Sequence, residues 1–280
     1  MRASSRYLLR AILAGADATG GDITTAIIVV ALMDAGIGHL DSDPALASRY
    51  ATYDQAPPDG FRRPTSARAI AVRLGLPYET VRRRLEPVIA SGRCVRTPRG
   101  IYSPTLSRAD HLAGAEANHI AVRRLLIDLQ KRVPNDAWSP SLFVSTASDP
   151  GEPPLRLLNR RSALFAVDLL PDIARAVGGY DAALVYMALL ESTGRCEVVE
   201  PAPVIQISPL ARSIQQPTES TRRRLAALAD QGLITRETDG YTARHAPAAE
   251  AIMGRLSVAN LKHLRNFFAG LSRLGVTFAP

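Results

Sequence analysis

The chain has 280 residues, of which 46% are hydrophobic and 21% are charged, and its formal net charge is +8. This length suits two domains, and the composition is that of a folded globular protein and excludes a disordered or fibrous chain. The longest apolar run, residues 26–33, is too short to cross a bilayer, so we expect no membrane partner. Two cysteines, Cys94 and Cys196, are too few for a disulfide framework and indicate a reducing cytoplasm.

Catalytic, metal and cofactor sites find no support in the sequence. The histidines show no metal-ligand spacing with cysteines or acids; they are His39, His111, His119, His245 and His263. Neither a glycine-rich phosphate loop nor a Gly-x-Ser-x-Gly elbow is present. We therefore expect no enzyme, no bound metal and no cofactor.

The chain begins with two helices that are separated by a glycine pair. Apolar side chains at helical spacing predict a helix over residues 5–14, and Gly20 with Gly21 ends it. A very apolar helix is predicted next, over residues 23–35. Residues 41–64 contain Asp-Pro, Pro-Pro and Asp-Gly pairs, which are typical of a loop with at most a short helical turn.

Residues 65–103 are predicted to form two helices joined by a turn, followed by a hairpin. The first helix, residues 67–74, ends at a glycine, and Pro77 suits the first turn of the second helix, where its missing N–H costs little. Gly92 ends the second helix, and residues 93–102 have the pattern of two short strands around a turn. The apolar stripe of the second helix consists of Val81, Leu85 and Ile89.

The same pattern returns 140 residues later, over residues 206–245. At this fixed offset Glu79 matches Glu219, the triplet Arg82, Arg83, Arg84 matches Arg222, Arg223, Arg224, and Leu85, Gly92, Arg96 and Gly100 match Leu225, Gly232, Arg236 and Gly240. The order helix, glycine pair, apolar helix also recurs, over residues 159–191. So many matches in unbroken register predict an internal duplication.

The duplication predicts one domain over residues 1–150 and another over residues 151–280. Residues 134–154 are rich in Pro, Ser and Asp, which is a linker composition. After each hairpin a long amphipathic helix is predicted, over residues 118–132 and 260–274, which could pack on its own domain or form a homodimer seam. Glu197, Val198 and Val199 could supply a small strand that pairs with the second hairpin.

Helix, turn, helix and hairpin in this order resemble the winged helix-turn-helix family, whose second helix lies in the major groove of DNA. The resemblance implies a mainly α fold with small β-hairpin wings: two tandem winged-helix domains, each with extra flanking helices. It also implies DNA-binding residues by position. In the first half these are Tyr78, Glu79, Thr80, Arg82, Arg83, Arg84, Arg96 and Arg99, and in the second half Thr218, Glu219, Ser220, Thr221, Arg222, Arg223, Arg224 and Arg236.

The positive charge is concentrated in the first copy. Residues 62–102 contain ten arginines and two acids, which alone gives +8. Residues 206–245 contain six arginines and four acids, and the tip of the second wing carries Asp239 where the first carries Arg99. Because phosphate neutralisation drives the affinity for DNA, we expect the first half to contribute more of it.

The two predicted recognition helices differ at one interior position. Pro87 removes a backbone hydrogen bond to the carbonyl of Arg83, and Ala227 occupies the matching position. The proline predicts a kinked or shortened first recognition helix.

Together these features predict a sequence-specific regulator of transcription that binds double-stranded DNA through two recognition helices in one chain, as a pseudo-dimer, in the bacterial cytoplasm and nucleoid. A plasmid-type replication initiator that binds origin repeats shares these features and stays open. A winged-helix protein-interaction scaffold, a different class, also stays open. The apolar helices 23–35 and 180–191 could line a cavity for a small-molecule effector, although such helices are more often core.

Overall fold

The computed structural model of the protein describes residues 1–20, 22–105, 108–131, 154–193, 203–274 and 276. These residues form eleven α-helices and two antiparallel hairpins, so the protein is mainly α with small β elements. The helices are α1 (Arg2–Thr19), α2 (Ile23–Ile37), α3 (Pro44–Arg49), α4 (Ala67–Leu74), α5 (Tyr78–Ala90), α6 (Arg108–Gln130), α7 (Leu155–Val177), α8 (Tyr180–Thr193), α9 (Ile207–Ser213), α10 (Thr218–Asp230) and α11 (Glu250–Arg273). The strands are β1 (Val95–Thr97), β2 (Gly100–Tyr102), β3 (Thr235–Glu237) and β4 (Gly240–Thr242).

The chain divides into two compact units, and each unit takes residues from two separate stretches of sequence. Unit 1 contains Met1–Thr24 and Leu169–Lys262, and unit 2 contains Thr25–Asp168 and His263–Pro280. This differs from the single division, 1–150 and 151–280, that the repeat predicts. The predicted boundary near Gly151 lies outside the described residues. A sequence repeat shows which segments resemble each other. Which segments pack together depends on how their apolar faces are buried.

In unit 1, the helices α1 and α8 pack against each other. The apolar side of α1 is buried, with Leu8 0% and Ile12 5% exposed. Ten of the 14 residues of α8 are buried, among them Tyr186. Arg10 reaches the carboxylate of Glu191 across this contact, with an N···O distance of 3.4 Å. The first helix of the chain is therefore part of the core of unit 1.

In unit 2, α2 is a central helix whose inner residues are buried on several sides. The most buried are Ala26, Ile27, Ile28, Ala31 and Leu32, each at most 2% exposed. The buried Arg160 on α7 donates to the carboxylate of Asp41 at 2.8 Å and to the carbonyl of Tyr50 at 2.7 Å. This arginine joins α7 to the segment around α3, and a buried cation is tolerated because it is paired and hydrogen-bonded.

The predicted long helices exist, and most of their apolar faces are already covered. In α11, Leu264, Phe267, Phe268 and Leu271 are each at most 2% exposed, so this face is not available to a second copy of the chain. In α6, Leu125, Leu126 and Leu129 are also buried, whereas Ile120 is 52% and Ile127 45% exposed. A homodimer through α6 stays a prediction.

Ile23–Ser42 is long and apolar enough, by length and composition alone, to cross a membrane, with a mean hydropathy of 1.8. In this protein 56% of it is buried. The bent pair α7 and α8 passes the same test with an angle of 95°. The sequence analysis considered only the uninterrupted apolar run, residues 26–33. The apolar stretch is longer than this run because apolar residues continue beyond Asp34. Core helices of soluble proteins meet the same criterion, so the span is weak evidence for a membrane.

Candidate nucleic-acid interface

Residues 65–102 and 205–242, which we call the first and second helix–hairpin segments, have matching backbone geometry at the offset of 140 residues. Their second helices, α5 and α10, both have 13 residues. Before these helices Pro77 has φ −59° and ψ 137°, and Pro217 has φ −58° and ψ 134°. After them Gly92 and Gly232 turn the chain with φ of 76° and 70°. The sequence repeat is thus accompanied by a repeat of local conformation.

A single extra pairing completes each hairpin. Thr65 pairs with Ile101, and Ile205 pairs with Tyr241, each through two backbone hydrogen bonds of 2.8–3.0 Å. The close approach requires a glycine on β2, because a Cβ at Gly100 would lie 2.6 Å from the carbonyl oxygen of Thr65. The residue that pairs with the second hairpin is thus Ile205; the predicted residues 197–199 lie outside the described part of the chain.

The outer faces of α5 and α10 each present four exposed side chains at matching positions, and three of the four are identical. On α5 these are Tyr78, Glu79, Arg82 and Arg83, and on α10 Thr218, Glu219, Arg222 and Arg223. Arg82 donates to Glu79 at 2.9 Å, and Arg222 donates to Glu219 through two bonds of 2.7 and 2.8 Å. The hydrogen bond from Arg222 lowers the pKa of the Glu219 carboxyl. Each face therefore holds a Glu–Arg hydrogen-bonded pair and one further arginine, and on α10 that arginine, Arg223, also lies 3.8 Å from the Glu219 carboxylate.

Thr221 was expected to flank the DNA, and the structure corrects this prediction. Its side chain is 0% exposed, as is that of Val81 at the matching position of α5. The hydroxyl of Thr221 donates to the carbonyl of Pro217 at 3.2 Å, which satisfies its hydrogen bond inside the core. Sequence patterning missed this because threonine is common on both surfaces and buried helix faces.

The third arginine of each triplet is turned away from the exposed face. Arg224 donates to the carboxylate of Asp181 on α8 at 2.6 Å and to the hydroxyl of Ser220 at 2.5 Å. Arg84 and Thr80, at the matching positions of α5, are also half-buried. Arg224 therefore joins α10 to α8 and has a structural role, and a contact of the partly exposed Arg224 or Ser220 with phosphates stays a prediction.

The hairpins match in backbone and differ in charge. Arg96 and Arg236 are exposed at matching positions on the first strands, and Arg96 pairs with Glu86 at 2.7 Å. At the tips, the exposed Arg99 of the first hairpin stands where the second hairpin has the exposed Asp239. The first tip is thus cationic and the second anionic.

Pro87 does not shorten the first of these helices. It lies inside α5, on the exposed side, and α5 has the same length as α10. The prediction of a shortened helix was wrong, because the proline removes only its own N–H, and the N–H of Ser91 still donates to the carbonyl of Pro87 at 3.0 Å. A kink at Pro87 stays a prediction.

The cationic surface of residues 62–102 is smaller than their ten arginines suggest. Arg62 has a side chain 6% exposed and binds Asp59 at 3.0 Å, and Arg73 binds Asp34 at 2.7 Å. The arginines of residues 62–102 that remain exposed without such a buried or scaffold-facing role are Arg63, Arg68, Arg82, Arg83, Arg93, Arg96 and Arg99. Positive charge is still concentrated on residues 62–102, but part of it stabilises the fold.

Within the described part of the chain, no group of three or more His, Cys, Asp or Glu side chains could hold a metal ion. Burial raises the pKa of the Cys94 thiol to about 11, so this cysteine is mostly protonated at neutral pH. Neither feature adds a reactive group to the exposed faces of α5 and α10.

Comparisons with known proteins return no relatives. No family model matches the chain, no curated protein matches it, and no solved structure matches it. The residues and their geometry therefore carry the argument for function.

Proposed function

We propose that the protein is a sequence-specific regulator of transcription that binds double-stranded DNA through two tandem winged helices produced by an internal duplication. The observation that carries the proposal is the matched exposed face of α5 and α10, each with a Glu–Arg pair and a neighbouring arginine. Arginine binds guanine edges or phosphates, and a helix presented beyond a turn can enter the major groove. One chain then reads two half-sites, as a pseudo-dimer in the cytoplasm and nucleoid.

The Glu–Arg pairs have a consequence for specificity. A glutamate that holds Arg82 or Arg222 fixes the direction of the guanidinium before DNA arrives, which lowers the entropy cost of binding. The same carboxylate repels phosphates, so binding away from a matching sequence is weakened. We therefore assign base reading to Arg82 and Arg222, and a larger share of phosphate contact to Arg83 and Arg223.

The second helix–hairpin segment has a second candidate role, which its acidic tip favours. Glu237 and Asp239 are exposed at the end of the hairpin, where a DNA-binding wing would meet phosphates. Such a surface suits a contact with a basic protein partner. In that case the first segment binds DNA and the second acts as an interaction scaffold.

The test is selection of binding sites from random duplexes with the full chain, followed by affinity measurements at several salt concentrations. The variants are Arg82→Ala/Arg83→Ala and Arg222→Ala/Arg223→Ala, and Arg175→Ala on α7, whose side chain is 71% exposed, is the control. We expect a two-part motif, with each double variant weakening binding about tenfold or more and relaxing one part of the motif. The control should bind like the wild type.

The alternatives predict different results. If only the Arg82→Ala/Arg83→Ala variant loses affinity, the second segment is a protein-contact surface. Genome-wide immunoprecipitation tests the initiator. If the protein binds only to iterated repeats at a replication origin, it is a replication initiator and not a regulator of transcription. Absence of a selected motif, with no effect of either double variant, would refute DNA reading altogether.

A further inference from the structure

The exposed side of α11 carries positive charge and no negative charge beyond its first residue. The helix has four cationic residues, and all four side chains are exposed: Arg255, Lys262, Arg265 and Arg273. After Glu250, which begins the helix, the sequence has neither Asp nor Glu up to residue 280. We call these four residues the basic face of α11.

The spacing of the four cations places them on one side of the helix. Because an α-helix turns by about 100° per residue, all four lie within an arc of about 80°. A rise of about 1.5 Å per residue spreads them over about 27 Å of the helix axis. The opposite side is buried, since Leu256, Leu264, Phe268 and Leu271 are each at most 3% exposed. The basic face is therefore the solvent side of an amphipathic helix.

The fold does not neutralise this charge. Among the described residues, no carboxylate forms an ion pair with any of the four cations. Arg273 donates to the carbonyl of Ala269 at 3.3 Å, which leaves its charge uncompensated. Lys262 and Arg265 are neighbours on the helix surface, where like charges repel. The exposed faces of α5 and α10 differ, because each holds a glutamate that pairs with an arginine. Uncompensated positive charge of this kind attracts anions.

The side chains around the cations favour a nucleic-acid backbone over a lipid surface. A helix that binds a lipid surface inserts bulky apolar side chains into it. The structure describes every residue of α11, and Val258 is the only large apolar side chain that the helix exposes. The other exposed neighbours are small or polar, such as Gly254, Asn266 and Ala269. Duplex DNA carries about one negative charge per 1.7 Å, so a stretch of about 27 Å offers phosphates for all four cations.

We propose that the basic face of α11 binds the phosphate backbone of double-stranded DNA, in addition to the contacts made by α5 and α10. The identity of the polyanion as DNA rests on the proposed function. Phosphate contacts carry no information about the bases, so this face raises the affinity for every duplex and leaves the motif unchanged.

The test measures the affinity of the full chain for two duplexes of equal length, by fluorescence anisotropy over a series of salt concentrations. One duplex carries the selected motif, and the other has the same bases in scrambled order. Lys262→Gln/Arg265→Gln removes two cations of the basic face, whereas Lys262→Arg/Arg265→Lys keeps both charges. Arg123→Gln/Arg124→Gln, on the exposed side of α6, is the matched control, because it changes the net charge by the same amount. Glutamine keeps a high helix propensity, and circular dichroism verifies the fold of each variant.

We expect Lys262→Gln/Arg265→Gln to weaken binding to both duplexes about tenfold, and to reduce the slope of the logarithm of affinity against the logarithm of salt concentration by about 2. The charge-keeping variant and the α6 control should bind like the wild type. Unchanged binding by Lys262→Gln/Arg265→Gln overturns the proposal. An equal loss in the α6 control also overturns it, because the effect would then be one of net charge alone.

The two duplexes distinguish failure of this proposal from failure of the proposed function. If no motif is selected and the scrambled duplex still binds through the basic face, sequence reading fails while the role of α11 stands. If the motif binds through α5 and α10 and the α11 variant binds equally well, the role of α11 fails alone.

A lipid surface is tested separately, with vesicles of phosphatidylcholine and phosphatidylserine in equal parts. We expect the wild type not to sediment with these vesicles. Sedimentation that Lys262→Gln/Arg265→Gln abolishes, together with unchanged binding of this variant to both duplexes, would replace DNA by a membrane as the partner of the basic face.

Discussion

The two helix–hairpin segments have the same backbone and different charges. Gly75 and Gln215 adopt the same left-handed turn, with φ of 64° and 53°, although only glycine does so without strain. Arg99 and Asp239 occupy the same exposed position with opposite charges. Positions that build the turn, the helix and the hairpin share their conformation, whereas the exposed hairpin tips differ in charge. Conformation and surface charge are thus separable, and each can be altered alone.

We expect the largest effect from deleting residues 2–19, which removes α1 from the core of the unit that contains the second helix–hairpin segment. Tyr7, Leu8, Leu9 and Ile12 of α1 are each at most 5% exposed, and burying such side chains stabilises by about 1.5–3 kcal/mol each. Their sum is comparable with the whole stability of a domain, which is about 5–15 kcal/mol. We expect α8 and α10 to lose protection in hydrogen exchange.

Single substitutions in α1 test the same contribution to unit 1 with smaller losses of stability. Leu8→Ala should cost about 2–5 kcal/mol, because the side chain is 0% exposed, and Arg10→Ala on the exposed side of the helix should cost under about 1 kcal/mol. Loss of protection in α5 with α10 unaffected would contradict the composition of the two units.

The next largest effect is expected on DNA affinity, when the charges of the two hairpin tips are exchanged. Arg99→Asp should weaken binding about tenfold and reduce its salt dependence, and Asp239→Arg should strengthen it, because one phosphate contact is lost or gained. Fluorescence anisotropy over a series of salt concentrations measures both. In the double exchange the two effects should largely cancel. No change for Asp239→Arg would indicate that the second hairpin is not near DNA.

Two neighbouring arginines of α10 separate stability from binding. Arg224→Ala should lower the free energy of unfolding by about 1 kcal/mol, since its pair with Asp181 is only partly buried. Arg223→Ala, whose side chain is 71% exposed, should leave stability within about 0.5 kcal/mol and weaken DNA binding. Urea denaturation and the binding assay, applied to both variants, test the assignment. Equal stability of the two variants would argue against the structural role of Arg224.

The smallest effect concerns the left-handed turn. Gln215→Gly should stabilise the protein by about 0.5 kcal/mol, because relief of the strained φ exceeds the entropy cost of glycine. Gly75→Gln should destabilise it by a similar or larger amount. Thermal unfolding of both variants provides the comparison, and a stabilising Gly75→Gln would show that the turn tolerates side chains without strain.

Local features were largely predictable from the sequence. The helices α5 and α10 and both hairpins lie where the glycines, the prolines and the apolar period indicate. Exposed positions such as Arg83 and Arg223 followed from the same period, because an apolar stripe facing the core leaves the opposite face in solvent.

Long-range features were not predictable in the same way. The sequence around Arg224 gives no indication that this side chain binds Asp181, which lies 43 residues away. The same holds for Arg73 and Asp34, since the partner of an arginine depends on which helices pack together. The mixed composition of each unit depends on contacts between distant segments. Periodicity carries no information about those contacts.

The mixed composition of the units also constrains the order of events during synthesis. Met1–Thr24 is translated well before Leu169–Lys262, which completes its unit. The intervening residues take roughly 7–29 s to translate at typical bacterial and eukaryotic elongation rates. During this delay the apolar face of α1 is exposed, because α8, against which it packs, has not yet been made. Unit 2 in turn needs His263–Pro280 as well as Thr25–Asp168, so each unit stays incomplete until its second stretch has been translated. We expect apolar surface of the nascent chain to be open to chaperones during this interval.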